Sequence, residues 1–258
     1  MLRTMCEVNA GKVFRRLEKK YLISATQKKK LLKICGDNLE NNKFFQSTIC
    51  NLYYDTKDDD LIIKSIDKPE FKEKVRVRSY NIPTENDCIF FEIKTKHKEG
   101  KQKIGDKRRF QLCLKDYHDF LDGKASLAEI AERKIEKTND VQIAREIDYM
   151  IKYLKLIPKI FIACERESYD GKKEKDLRVT FDTNLRYRMD NLTFESGAEG
   201  KKFFHDKQNI ILEIKASGGM PLWLVSALNE LKIYPQSFSK YGKVYKQMKG
   251  KKNVQHYL

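Results

Sequence analysis

Tryptophan occurs once, proline five times and histidine four times in the 258 residues, and no C-x-x-C pair occurs among the six cysteines. Cys6, Cys35, Cys50, Cys88, Cys113 and Cys164 are scattered, as are the histidines, so no zinc-ligand spacing exists. Most of these cysteines lie in apolar stretches and read as small core residues in a reducing compartment. No apolar run approaches the roughly 18 residues of a membrane span. The opening MLRTMCEVNAGKVF lacks the apolar stretch of a secretory signal. Glycine-rich phosphate cradles are missing too: GAEGKK at 197–202 lacks the Walker A spacing, and no G-x-G-x-x-G occurs. No linker-like or low-complexity segment divides the chain. These absences predict one cytoplasmic domain over 13–247, with a leader at 1–12 and a basic tail at 248–258.

Basic residues are abundant. Lys and Arg number 53 against 37 Asp and Glu, a formal net charge of +16, which points to an anionic partner. Hydrophobic residues at 40% and aromatics at 11% still argue for a folded core.

Period-two alternation marks strands at VFRRLEKKYLIS (13–24), TICNLYYDT (48–56), FKEKVRVRSYN (71–81), CIFFEIKTK (88–96) and KRRFQLCL (107–114). It resumes at KIFIACERESYDG (159–171), LRVTFDTNLRYR (177–188) and QNIILEIKAS (208–217). Ser24 is placed to cap a helix in ATQKKKLLKICGDNLE, and a short segment surrounds Leu61–Ile66. Residues 115–154 switch to helical period, with Ile147, Met150, Ile151 and Leu154 on one core-facing stripe and an end before Pro158. PLWLVSALNELKI reads as the last helix, with Trp223 as a packing anchor; FSKYGKVYKQMKG after it is short, basic and aromatic.

Residues two apart on a strand share a face. Lys72, Lys74, Arg76, Arg78 and Tyr80 therefore oppose Phe71, Val75 and Val77. Glu92 and Lys94 oppose Phe91 and Ile93; Lys107 and Arg109 oppose Phe110 and Leu112. Arg178, Thr180 and Asp182 oppose Leu177, Val179 and Phe181, and Glu213 and Lys215 oppose Leu212 and Ile214. Arg16, Glu18 and Lys20 share a face of the first strand. An ordinary solvated sheet face mixes both charge signs, because neighbouring like charges repel. A face this basic needs anions. Closing the sheet into a barrel turns those cations inward as a tunnel. Lys and Arg there grip oxyanions while a few carboxylates hold a divalent metal, the equipment of phosphoryl transfer. Inward cations cannot follow a duplex, and no exposed aromatic platform is evident, so nucleic acid is not expected.

EKKYLIS, NLYYDT, KEKVRVRSY, FFEIKTK, KRRF, EIDYMIKY, ACERESYDG, LRVTFDTNLRYR, ILEIKASGGMPLWL and SFSKYGKVY occur in one order over about residues 13–247. In this the chain resembles VTC domains, polyphosphate polymerases of the triphosphate tunnel metalloenzyme (CYTH) superfamily. The resemblance implies an α+β fold: an eight-stranded antiparallel β-barrel with helices packed outside. It also implies transfer of the terminal phosphate of ATP onto inorganic polyphosphate, with Mn2+ or Mg2+ bound. Its implied phosphate-binding residues are Lys20, Arg76, Arg78, Lys94, Lys107, Arg166, Arg178, Ser239 and Lys240, and its metal-binding carboxylate is Glu213. Alternation adds Arg109 and Lys215, with Glu92 and Glu18 as further metal ligands or as partners that orient lysines.

Two positions depart from the family. Arg16 stands where hydrolytic relatives carry the first Glu of Glu-x-Glu-x-Lys, and Cys164 stands where many members have Tyr. Hydrolysis needs a carboxylate to relieve a water of its proton; chain extension does not, because the attacking phosphate oxygen is already anionic. The exchange suits synthesis, with product threading away through the barrel. A triphosphatase on the same fold and a non-catalytic phosphate-binding protein stay open, as does a separate membrane partner.

Overall fold

The computed structural model describes residues 16–67, 70–99, 102–133, 138–203 and 210–255. The strands are β1 (Arg16–Ile23), β2 (Leu39–Asp55), β3 (Phe71–Tyr80), β4 (Cys88–Glu99), β5 (Gln102–Cys113), β6 (Ile157–Gly171), β7 (Arg178–Arg188), β8 (Lys201–Lys202) and β9 (Ile210–Ser217). The helices are α1 (Ala25–Cys35), α2 (Asp60–Ile66), α3 (Leu114–Leu121), α4 (Leu127–Glu132), α5 (Thr138–Leu154), α6 (Leu222–Glu230) and α7 (Lys240–Gln255). The leader lies outside the described residues. Several boundaries differ from the sequence pattern: β2 begins at Leu39 and β5 at Gln102, both earlier than the alternation suggested. Pro158 sits inside β6 rather than before it, and α6 is not the last helix, because α7 runs through most of the expected tail.

The sheet is antiparallel, in the order β1-β9-β7-β6-β2-β3-β4-β5, with the short β8 beside β7. Among the described residues β1 and β5 do not pair, so the expected closed barrel is corrected to an open, curled sheet. Side chains still cross the seam: Lys94 Nζ of β4 lies 3.5 Å from Glu18 Oε2 of β1. A closed ladder would bring another row of cations to cross-strand spacings of about 5 Å, where like charges repel.

Two of the three apolar cores follow from the alternation. On the convex side, Val75, Val77, Phe91, Ile93, Phe110 and Leu112 pack under α3, α4 and α5, where Ile147 and Met150 supply the predicted stripe. Tyr21, Ile23, Phe181, Leu212 and Ile214 pack under α1 and α6, with Trp223 against their edge. Ser24 caps α1 through a reciprocal capping box with Gln27.

The third core lies on the concave side and was not expected. Tyr53, Ile160, Ile162, Leu185, Tyr187 and Ile211 meet Tyr241, Val244 and Tyr245 of α7. Helices therefore cover both faces. A register shift between Ala163 and Glu165, with Asn184 at φ 46°, lets β7 present Asp182 and then Leu185 to the same side. Past this bulge the concave face turns from charged to apolar.

Asp55 fastens the concave helix. Its buried carboxylate accepts from the amides of Leu61 (2.8 Å) and Ile62 (3.0 Å) at the start of α2, and from Tyr241 Oη at 3.0 Å. Tyr241→Phe removes one bond to a buried, charged acceptor, so a loss of about 1.5–3 kcal/mol in urea denaturation is expected. An unchanged midpoint would detach α7 from this anchor.

Candidate active site

The inner-face cations are held by buried carboxylates. Glu92, 1% exposed, is the first. Its Oε2 accepts from Arg76 Nε at 2.8 Å and lies 2.6 Å from Nη2; Oε1 is paired with Lys107. Burial alone would raise the Glu92 carboxyl, but Arg76, Arg78 and Lys107 outweigh it and hold it well below the usual range. Burial also brings the Lys107 ammonium down to about 8, against the pull of Glu92.

Asp182 is the second, and sequence reasoning did not single it out. Arg166 grips it bidentately, Nε to Oδ1 at 2.6 Å and Nη2 to Oδ2 at 2.8 Å, while Lys240 Nζ donates to Oδ2 at 2.7 Å. Burial would raise this carboxyl, and Lys240 and Arg166 hold it well down. Lys240 also reaches Cys164 Sγ at 2.9 Å, so this buried thiol contacts the same cation. The available signal was that Asp182 is the one acid among the inward residues Arg178, Thr180 and Asp182.

The third group spans β1 and β9. Their register sets Lys20 opposite Glu213 and Glu18 opposite Lys215, a cross-strand checkerboard of charge. Lys215 Nζ lies 2.8 Å from Glu213 Oε1, Lys20 Nζ lies 3.9 Å from Oε2, and Lys20 also pairs with Glu18. Burial and the neighbouring Glu213 work to raise the Glu18 carboxyl, yet Lys94 and Lys20 bring it down to about 2. Burial would likewise raise Glu213, which Lys215, Lys20 and Arg166 hold well below the usual range. The Lys94 ammonium is pushed down to about 8, chiefly by burial.

Among the described residues no three His, Cys, Asp or Glu side chains gather as a metal cage. Glu213 and Glu18 are ionised, adjacent oxygen donors. That set fits a magnesium-type ion, which takes one or two protein carboxylates and completes its shell with water and substrate phosphate.

The other predicted residues divide. Arg78 donates Nε to Asn51 Oδ1 at 2.9 Å, and among the described residues neither of its Nη atoms meets an acceptor. Ser239 Oγ caps α7 by accepting from Gly242 N at 3.2 Å. Arg109 stacks over Phe90, 4.8 Å from the ring centroid. Arg178 stands opposite Lys215 in the β7–β9 register, but its side chain is 54% exposed and pairs with Asp170 at 3.1 Å. Two further buried arginines hold structure instead: Arg188 donates to four carbonyls of the 191–199 loop, and Arg186 to those of Ala198 and Asn184.

A family model described as the VTC domain matches residues 15–249. The chain belongs to the VTC domain family. Similar curated proteins are named vacuolar transporter chaperone complex subunit 4. The one from Trypanosoma cruzi is 28% identical over 155 residues, covering 54% of this chain and 19% of that protein. The one from Schizosaccharomyces pombe is 28% identical over 154 residues, covering 54% and 20%. The match thus spans about a fifth of these relatives' length. Among solved structures, the PH1819 protein from Pyrococcus horikoshii superposes over 90% of this VTC domain and 99% of its own chain, at 12% identity and a TM-score of 0.45. Among the described residues of this VTC domain no helix is long and apolar enough to cross a membrane.

Proposed function

We propose that this VTC domain is a polyphosphate polymerase that transfers the terminal phosphate of ATP onto inorganic polyphosphate. One observation carries the reading: the concave face holds its cations oriented by three carboxylate groups, while the Nη atoms of Arg78 among them have no partner among the described residues. Paired cations stay in place without ligand. A free guanidinium fork offers two parallel donors to a phosphoryl oxygen pair. Family membership and the names of the relatives point the same way.

In this reading Arg76, Arg78 and Lys107 on one wall and Arg166, Lys240 and Lys20 on the other hold donor and acceptor phosphates in line. Orientation and screening of two polyanions are the main requirements, since the attacking oxygen needs no base. Glu213 with Glu18 would hold Mn2+ or Mg2+, which when bound supplies charge neutralisation for the phosphates. The concave apolar core under α7 occupies one end of the trough, so the earlier expectation of product threading along the whole axis gives way to exit past the charged half.

The test is incubation of purified protein with ATP and Mn2+, followed by a gel stained for polyphosphate and an assay for free phosphate. A ladder of long polymer is the expected result. Free phosphate without polymer would replace this reading with a triphosphatase. Binding of ATP with no turnover would leave a phosphate sensor.

A further inference from the structure

Lys74 lies on the concave face, half-buried, and differs from its neighbours. Lys20, Arg76, Arg78, Lys94, Lys107, Arg166, Lys215 and Lys240 all have a carboxylate oxygen within 4.0 Å. Among the described residues Lys74 has none; its partner is Ser239 Oγ, 2.7 Å from Nζ. Its surroundings are cationic: Lys72 and Arg76 on β3, and Lys94 and Lys96 on β4. Asp55, next along β2 from the Tyr54–Val75 pair, has a carboxylate already taken by Thr56, Leu61, Ile62 and Tyr241. From α2, Lys64 acts on Glu73, which alternates to the other face. From α7 come Ser239 and Lys240, the latter committed to Asp182. A desolvated ammonium among four cations, with one neutral acceptor, is unfavourable unless an anion completes it.

Ser239 marks the point where such an anion would meet the protein. Its oxygen accepts from both Lys74 Nζ and Gly242 N, which leaves its hydroxyl proton to donate outward. The amino end of the 16-residue α7 adds partial positive charge at the same point.

We propose that Lys74 and the Ser239 hydroxyl together seat a phosphoryl group at the amino end of α7, making Lys74 a phosphate-binding residue of this site. The inference rests on the phosphate-binding reading given above. It has a consequence for pH. Burial and the surrounding cations hold the ammonium down to about 7, so near neutrality it is partly deprotonated in the ligand-free protein. A phosphoryl oxygen favours the charged form and restores the proton. Binding therefore takes up protons, and affinity weakens as pH rises above neutrality. Arg76 keeps its proton throughout this range.

The experiment is calorimetric titration of the full chain with inorganic tripolyphosphate at pH 7.5, in two buffers of different ionisation enthalpy. Wild type is compared with Lys74→Met and Lys74→Arg. Lys74→Met is expected to bind roughly tenfold more weakly, the scale of one charge-assisted hydrogen bond. Lys74→Arg is expected to keep affinity within about threefold, since its charge is permanent, and to take up roughly half a proton less than wild type. Equal affinity and equal proton uptake in all three proteins would overturn the assignment while leaving the phosphate-binding reading intact. Failure of wild type to bind tripolyphosphate would overturn that reading and this inference with it.

Discussion

Asp182→Ala is expected to lower stability by about 3–5 kcal/mol, the usual cost of breaking a buried ion pair from one side. The reason lies in what remains. Arg166 and Lys240 both depend on this one carboxylate, at 2.6 and 2.7 Å, and Asp182 is 1% exposed. Without it two largely buried cations face each other uncompensated. Asp182→Asn keeps the shape but not the charge and should cost nearly as much. Urea denaturation read by circular dichroism measures both variants. A loss below about 1 kcal/mol would show that Arg166 and Lys240 find other acceptors or reach water.

Arg78→Ala should do the opposite, leaving the fold intact and removing function. Among the described residues its guanidinium hydrogen-bonds through Nε alone, to Asn51, and lies 3.9 Å from Glu92, which keeps its closer partners Arg76 and Lys107. What disappears is the unpartnered fork facing the trough. A fall of roughly 10²-fold or more in polymer formed per unit time is expected, the scale of losing one preorganised donor to a developing oxyanion. Arg78→Lys should recover only part of it, because a single ammonium cannot reproduce parallel donation. Activity and the denaturation midpoint, measured on the same preparation, separate the cases. A normal rate in Arg78→Ala would remove this residue from the site, and a large drop in midpoint would make its role structural.

Much of the concave face was legible in the sequence. Alternation placed Arg76, Arg78, Lys94, Lys107, Glu92 and Glu213 opposite apolar neighbours, of which Val75, Val77, Phe91, Ile93, Phe110, Leu212 and Ile214 are buried while Phe71 at the end of β3 is exposed. That inference works because strand geometry has a period of two and needs no knowledge of the partner strand. Family resemblance added Ser239 and Lys240, which periodicity could not supply; they stand at the start of a helix taken for a tail.

Other features depended on register and on contacts distant in sequence. Asp182 looked like one polar residue of a strand until β6 pairing set it opposite Arg166 and α7 brought Lys240 across 58 positions. Lys74 and Arg76 are consecutive on one face, yet only Arg76 meets Glu92. The bulge beside Cys164 and Asn184 changed which side chains face inward halfway along β7.

Sequence alone therefore determined which faces of most strands are apolar and that the opposite faces are rich in basic residues, the pattern from which an anionic ligand was expected. Only the tertiary structure decided that the sheet stays open between β1 and β5, that α7 packs on its concave side, and which cation each carboxylate holds. The division has one physical cause. Facing is a local property of the extended backbone, whereas curl, register and ion pairing are set by segments that meet only when the chain has folded.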